Sequence, residues 1–182
     1  NIYSPVWAPV SLEDQWLKLQ DKDPFDYAKV ERKIPASKEL KVSFDLKAGQ
    51  NNKGTLQIEF LDENGIACSR MELTDDGIFR LKGGSRFANM MKYEAGKVYH
   101  VEAVLSTVDR NIQVYVDGKR VGLRMFYAPV AAVERIVFRT GIPRTFPTVD
   151  TPADQTYDLP NAGAQDPLAE YGIANVKTSS TD

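Results

Sequence analysis

Leu40-Lys41-Val42-Ser43-Phe44-Asp45-Leu46-Lys47 alternates apolar and polar residues without a break. A period of two sends successive side chains to opposite faces of a strand, so this stretch reads as a β-strand with its even-numbered residues on a core. Leu56, Ile58 and Phe60 repeat the rhythm, with Gln57 and Glu59 between them, and Asn64-Gly65 follows. Asn-Gly tolerates the positive φ of a type I′ turn, so a hairpin is expected there, with 63 paired to 66, Phe60 opposite Ser69 and Ile58 opposite Met71.

The next turn, Asp75-Asp76-Gly77, fits a three-residue loop with glycine in the left-handed position. That register sets Met71 opposite Leu81 and Leu73 opposite Phe79, whereas a two-residue loop would oppose Leu73 to Arg80 and break the inside-outside alternation. Residues 55–82 therefore form a three-strand meander with one consistent core face.

A second unit follows. Tyr99, Val101, Ala103 and Leu105 alternate on one strand and Ile112, Val114 and Val116 on the next; Asp117-Gly118 turns the chain back through Val121, Leu123 and Met125. Val133–Phe138, Tyr171–Lys177 and Tyr27–Ile34 read as further strands, the last stopped by Pro35. Helical periodicity is confined to one possible turn around Ser85–Tyr93. Many short strands separated by Gly and Asp turns define an all-β chain, an antiparallel β-sandwich of one domain over 1–182. One segment lacks the alternation: about 142–168 is rich in proline, Thr and Asp. It reads as a long loop that packs over a sheet edge or contacts a ligand or partner.

The 23 Lys and Arg face 25 Asp and Glu, a formal net charge of -2. No clustered basic excess points to nucleic acid. No apolar run reaches the roughly 20 residues of a membrane span. The chain opens Asn1-Ile2-Tyr3-Ser4-Pro5, with no initiator Met and no apolar leader, which suggests a processed chain or a piece of a longer one. The single cysteine, Cys68, excludes an internal disulfide and a Cys-rich zinc site.

Lys97-Val98-Tyr99-His100-Val101-Glu102-Ala103-Val104-Leu105, followed after a short loop by Asn111-Ile112-Gln113-Val114-Tyr115-Val116-Asp117-Gly118-Lys119, resembles the central hairpin of laminin-G and concanavalin-like domains. The opening segment Asp21–Arg32 and the closing segment Glu170–Val176 are similar to the first and last sheet strands of such modules in bacterial polysaccharide-degrading proteins, several of which sit beside a sialidase-like propeller. The resemblance implies a concanavalin-like jelly roll, a secreted or periplasmic location and a glycan partner. The fold alone does not choose among lectins, glycosidases, lyases and structural modules.

Glycosidases of this fold class carry carboxylates at E-x-D-x-x-E spacing on one strand face. Here the nearest strings, Gln57–Glu63 and Arg70–Asp75, place their carboxylates across turns and on different faces. The one histidine, His100, lies within a strand, and no serine has a G-x-S-x-G context. No catalytic residue is identified. Calcium is a candidate ligand at Asp21, Asp23 and Asp26, with Asp75-Asp76 a second acidic turn, although Asp-rich turns also form without metal. On the outward face of the meander Glu59 lies opposite Arg70 and Glu72 opposite Arg80, with Gln57 and Lys82 at the margins. This surface reads either as a solvated, ion-paired sheet face or as a polar surface for sugar hydroxyls and carboxylates, with Tyr115 an outward aromatic. Trp7, Trp16, Tyr93, Phe126 and Tyr127 are further candidate stacking aromatics, although Trp16, among Leu12, Leu17 and Leu19, reads rather as core.

Three functions fit. The chain is a noncatalytic module that binds glycan or supports a neighbouring catalytic domain, a hydrolase or lyase acting on a concave sheet, or a protein-interaction module that docks through the long loop.

Overall fold

The computed structural model describes residues 1–23, 26–141 and 167–181; most of the long proline-rich segment lies outside them. The described residues form two antiparallel seven-stranded sheets packed face to face. The first runs β1 (Ile2–Tyr3), β4 (Lys29–Ser37), β13 (Val133–Thr140), β6 (Leu56–Leu61), β7 (Ala67–Leu73), β8 (Ile78–Gly83) and β9 (Arg86–Lys92). The second runs β12 (Lys119–Met125), β11 (Asn111–Val116), β10 (Val98–Ser106), β5 (Glu39–Ala48), β14 (Ala169–Ser180), β3 (Trp16–Asp21) and β2 (Val10–Glu13). The alternation implied an antiparallel sandwich and the resemblance its concanavalin-like jelly-roll form, and the described residues have both.

The core is filled from both inner faces. Leu40, Val42, Phe44 and Leu46 of β5 are all buried, and Phe44 meets Phe138 of β13 edge to face at 5.1 Å between centroids. In the meander Ile58 pairs with Met71, Phe60 with Ser69, Met71 with Leu81 and Leu73 with Phe79, as the pattern requires. The Asp75-Asp76-Gly77 loop closes with Thr74 and Ile78 paired and Gly77 at φ 83°.

Turn chemistry departs from expectation at Asn64-Gly65. Gly65 has φ 83° and donates to the Asp62 carbonyl, Asp62 N–H donates to Ile66, and the Asp62 carboxylate accepts from the Asn64 and Ile66 amides. The turn is thus a three-residue loop anchored by Asp62, and a bulge beside Leu61 and Ala67 restores the register that a two-residue turn would have set. At Asp117-Gly118 both residues have positive φ, 49° and 81°, as a type I′ turn needs.

Three other assignments change. Residues 86–92 are a strand, not a helical turn. β4 runs through Pro35 to Ser37, because Pro35 falls where the pairing with β13 skips, between Val133–Ser37 and Arg135–Lys33, and a bulge needs no donor there. The segment likened to a single first strand is divided: Asp21 ends β3 in one sheet, and Lys29 begins β4 in the other.

The return strand β12 also turns over. Tyr115 pairs with Arg120 but Val114 with Gly122, so Val121 is an extra residue. Past that bulge the parity inverts: Gly122 and Arg124 take inward positions opposite Val114 and Ile112, while Leu123 and Met125 face out, 45% and 57% exposed.

Cys68 lies at the β6–β7 bulge, buried, with its thiol donating to the Phe60 carbonyl at 3.4 Å. Burial pushes its pKa from 9.0 up to about 12. The native thiol is therefore expected to resist a thiol reagent at pH 8 and to react only on unfolding, as read by absorbance. An unfolded thiol ionises near 9.0 and the folded one does not, so its contribution is complete below that pH and is lost as pH rises towards about 12. Rapid labelling of the folded protein at pH 8 contradicts this burial.

Candidate functional site

The two sheets turn different surfaces outward, and the sequence-derived site residues divide between them. Gln57, Glu59, Arg70, Glu72 and Arg80 share the outer face of the first sheet, with Glu59 opposite Arg70 and Glu72 opposite Arg80 as expected. Their environment is not the solvated one expected. Every residue of β6 and β7 is buried, and Gln57, Glu59 and Arg70 are only 0%, 2% and 3% exposed.

This face is a second, polar packing layer. Arg70 Nε lies 3.3 Å from Glu59 Oε1, Gln57 Nε2 donates to Glu72 Oε2 at 2.7 Å, and Arg80 donates to the other oxygen of Glu72. Arg80 stacks 4.1 Å over Phe87, and Lys82 lies 4.6 Å over Tyr127. Burial and the nearby Arg70 lower the Lys82 pKa, in that order. Leu61, Ala67 and Val137 with Tyr127 form a small apolar cluster at the end of the same face. Glu59 and Arg70 are thus screened from bulk solvent. Alternation revealed the shared face but not its burial, which depends on what packs over it.

The outer face of the second sheet is open. Tyr115 projects there, as its parity required, with its hydroxyl donating to Gln113 Oε1 at 3.1 Å. His100 Nδ1 is 2.9 Å from Asp45 Oδ1, and Asn175 Nδ2 donates to Asp45 Oδ2 at 2.7 Å. Hydrogen bonds from Asn175 and then His100 hold the Asp45 carboxyl below its usual range.

Trp16 belongs to this face and not to the core. Asp14 and Gln15, both at positive φ, form the tight turn between β2 and β3, and Glu13 pairs with Trp16. From there Leu17 and Leu19 point inward while Trp16 and Lys18 point outward. The indole lies directly on the backbone of Gly172, where a Cβ would stand 3.0 Å from Cε3, and Lys47 Nζ is 5.6 Å from the ring centroid. Around the ring is a shallow depression of about 270 Å³ lined also by Glu13, Asp14, Lys18 and Glu170. Lys18 is paired with Glu13 at 2.6 Å, and Glu170 accepts from Gln20 at 2.7 Å. An aromatic plate ringed by hydrogen-bonding side chains is suited to a ligand with an apolar face and polar edges. The flanking leucines hid Trp16 in the sequence; the signal that could have found it was its parity with Lys18.

The acidic loop residues have local work. Asp21 Oδ1 accepts from the Asp23 amide at 2.8 Å, Asp23 Oδ1 from the Asp26 amide at 3.1 Å, and Asp26 Oδ2 from the Tyr3 hydroxyl at 2.8 Å. Among the described residues no group of three His, Cys, Asp or Glu side chains converges on a metal position. Among the same residues no helix is long and apolar enough to cross a membrane.

The described residues form a β-sandwich with an aromatic on its outer face and without an evident catalytic constellation, and the comparisons mark it as a carbohydrate-associated module. The chain belongs to the family described as "Sialidase-like, CBM domain", whose model matches residues 1–155. It is similar over its whole length to part of a solved sialidase, at 88% identity and a TM-score of 0.90, and spans 17% of that protein. The alginate lyase AlgAT5 of polysaccharide lyase family 7 shares the fold at 12% identity and a TM-score of 0.61, covering 99% of this chain and 85% of its own. The carbohydrate-binding module CBM66 from Bacillus subtilis does so at 10% identity and a TM-score of 0.54, with 95% and 92% covered. No curated protein matches the chain.

Proposed function

We propose that this chain is a noncatalytic glycan-binding module of a secreted or periplasmic polysaccharide-processing protein, holding sugar on the outer face of the second sheet. The observation that carries this reading is Trp16, seated on Gly172 beside an open depression with Lys18, Lys47 and Glu170 at its margins. A pyranose presents one C–H face and an equator of hydroxyls, which match the indole and its polar rim. Membership in a sialidase-like CBM family and the 17% share of a sialidase's length support a place beside a catalytic domain.

Affinity electrophoresis and calorimetry against a panel of soluble polysaccharides and mucin-type glycans test it. The wild-type chain is expected to be retained by at least one glycan, and Trp16→Ala to weaken that binding roughly thirtyfold, the ~2 kcal/mol of an aromatic hot spot. An unchanged affinity in the variant rejects Trp16 as the platform. No retention of the wild type by any glycan leaves structural support of the neighbouring domain as the role.

A further inference from the structure

Beside the Trp16 depression, the outer face of the second sheet carries a polar cluster assembled from three strands. The registers place Lys18, Gly172, Lys47 and Val98 in one outward row across β3, β14, β5 and β10. The next outward row holds Ala174, Asp45 and His100, and Trp16, one residue before Leu17, stands level with Ala174. Gly172 and Ala174 keep the ground between the indole and Asp45 low, and the indole leans across β14 onto Gly172. Trp16 and His100 are three strand spacings apart, about 14 Å at the backbone, which is more than one pyranose ring covers.

His100 is held in one orientation. Its Nδ1 is 2.9 Å from Asp45 Oδ1, and Asn175 Nδ2 donates to the other oxygen at 2.7 Å. The hydrogen bonds from Asn175 and His100 favour the ionised Asp45 carboxylate. An ionised carboxylate only accepts, so Nδ1 carries the hydrogen. Neutral His100 then has its lone pair on Nε2, and Nε2 has no hydrogen-bond partner among the described residues. The imidazole side chain is 53% exposed. Asn175 reaches Asp45 because β14 bulges between Ala174 and Lys177, with Asn175 in the left-handed region at φ 54°. A bulge re-aims a side chain, and left-handed residues other than glycine concentrate at functional sites.

A network that only tied strands together would add little here. β5, β10 and β14 are interior strands already joined by their ladders, and exposed charge pairs contribute weakly. What the three side chains do fix is the tautomer and direction of one imidazole.

We infer that His100 is the second contact of the glycan face: Nε2 accepts a sugar hydroxyl, the second amide hydrogen of Asn175 donates to a neighbouring sugar oxygen, and Asp45 positions both. The ligand class is an oligosaccharide long enough to lie across β3, β14, β5 and β10, with one ring on Trp16 and a later one at His100. This rests on the proposed function, which supplies the first ring.

His100 is the single histidine of the chain, so its ring can be read directly. In the nitrogen-15 spectrum of the whole chain at pH 8 the Nδ1-protonated tautomer is expected. An Nε2-protonated ring overturns the inference, because Nε2 then cannot accept. Affinity electrophoresis uses gels containing gastric mucin, polygalacturonate, chondroitin sulfate or dextran. The wild type is expected to be retained by at least one of them. His100→Ala should weaken that retention about fivefold, the loss of one hydrogen bond, at an unchanged thermal midpoint. Asp45→Ala should weaken it at least as much and move the ring to the Nε2-protonated tautomer, a spectral change that marks positioning. Retention of either variant equal to the wild type overturns the inference and leaves Trp16 as the platform by itself. Retention of the wild type by none of the four gels overturns glycan binding by this face as a whole.

Discussion

Replacing Arg70 by Ala is expected to destabilise the protein by about 3–5 kcal/mol, seen as a lower denaturant midpoint with little change in slope. Arg70 and Glu59 are 3% and 2% exposed and their charged atoms are 3.3 Å apart. Truncating the cation leaves a carboxylate out of water without its nearest compensating charge, which costs far more than the pair contributes relative to an apolar substitute. The double variant Arg70→Met/Glu59→Leu should therefore recover most of the loss, because it removes both charges and keeps the volume. If Arg70→Ala costs less than about 1 kcal/mol, as an exposed ion pair would, the outer face of the first sheet is solvated and becomes available to a ligand again. The experiment thus decides between a packing layer and a binding surface at Gln57, Glu59, Arg70, Glu72 and Arg80.

The second large effect is expected at Gly54. Its φ is 69°, and a Cβ there would stand 2.3 Å from Ala169 Cβ and 2.9 Å from the Tyr171 hydroxyl. Gly54→Ala combines two penalties: left-handed backbone for a residue with a Cβ, about 1–2 kcal/mol, and overpacking against β14 near the middle of the second sheet, about 1–3 kcal/mol. A total of about 2–5 kcal/mol lowers the melting temperature by several degrees for a chain of this size. Gly65→Ala separates the terms, since φ is 83° there but a Cβ meets nothing within 4 Å. It should cost only the backbone term. Equal losses at the two positions mean that Ala169 and Tyr171 yield without cost, and the contact between the loop before β6 and β14 is then not tight.

The alternation in Leu40–Lys47, Leu56–Phe60, Tyr99–Leu105 and Ile112–Val116 was sufficient for the fold class and for which residues face the core. Side-chain direction in a strand is local, set by a two-residue period. Cross-strand pairs such as Glu59–Arg70 and Glu72–Arg80 followed as well, because turns and the need to bury one face together fix register. Bulges escaped detection. One restores the meander register after the Asp62 loop, and another inverts β12 so that Leu123 and Met125 point to solvent. A bulge adds one residue with no mark in the alternation until the partner strand is known.

The sequence by itself determined that this chain is an antiparallel sandwich with a concanavalin-like hairpin at Tyr99–Lys119 and no recognisable catalytic motif. Only the tertiary structure decided which polar residues are surface. It buried Gln57, Glu59 and Arg70, left Trp16 half-buried on the outer face against Gly172, and brought two acid-free stretches, 77–93 and 118–133, together at one edge. The division has one physical cause. The inside or outside of a strand residue follows from its immediate neighbours, whereas burial of a sheet's second face and the charge of an edge depend on contacts between segments distant in sequence.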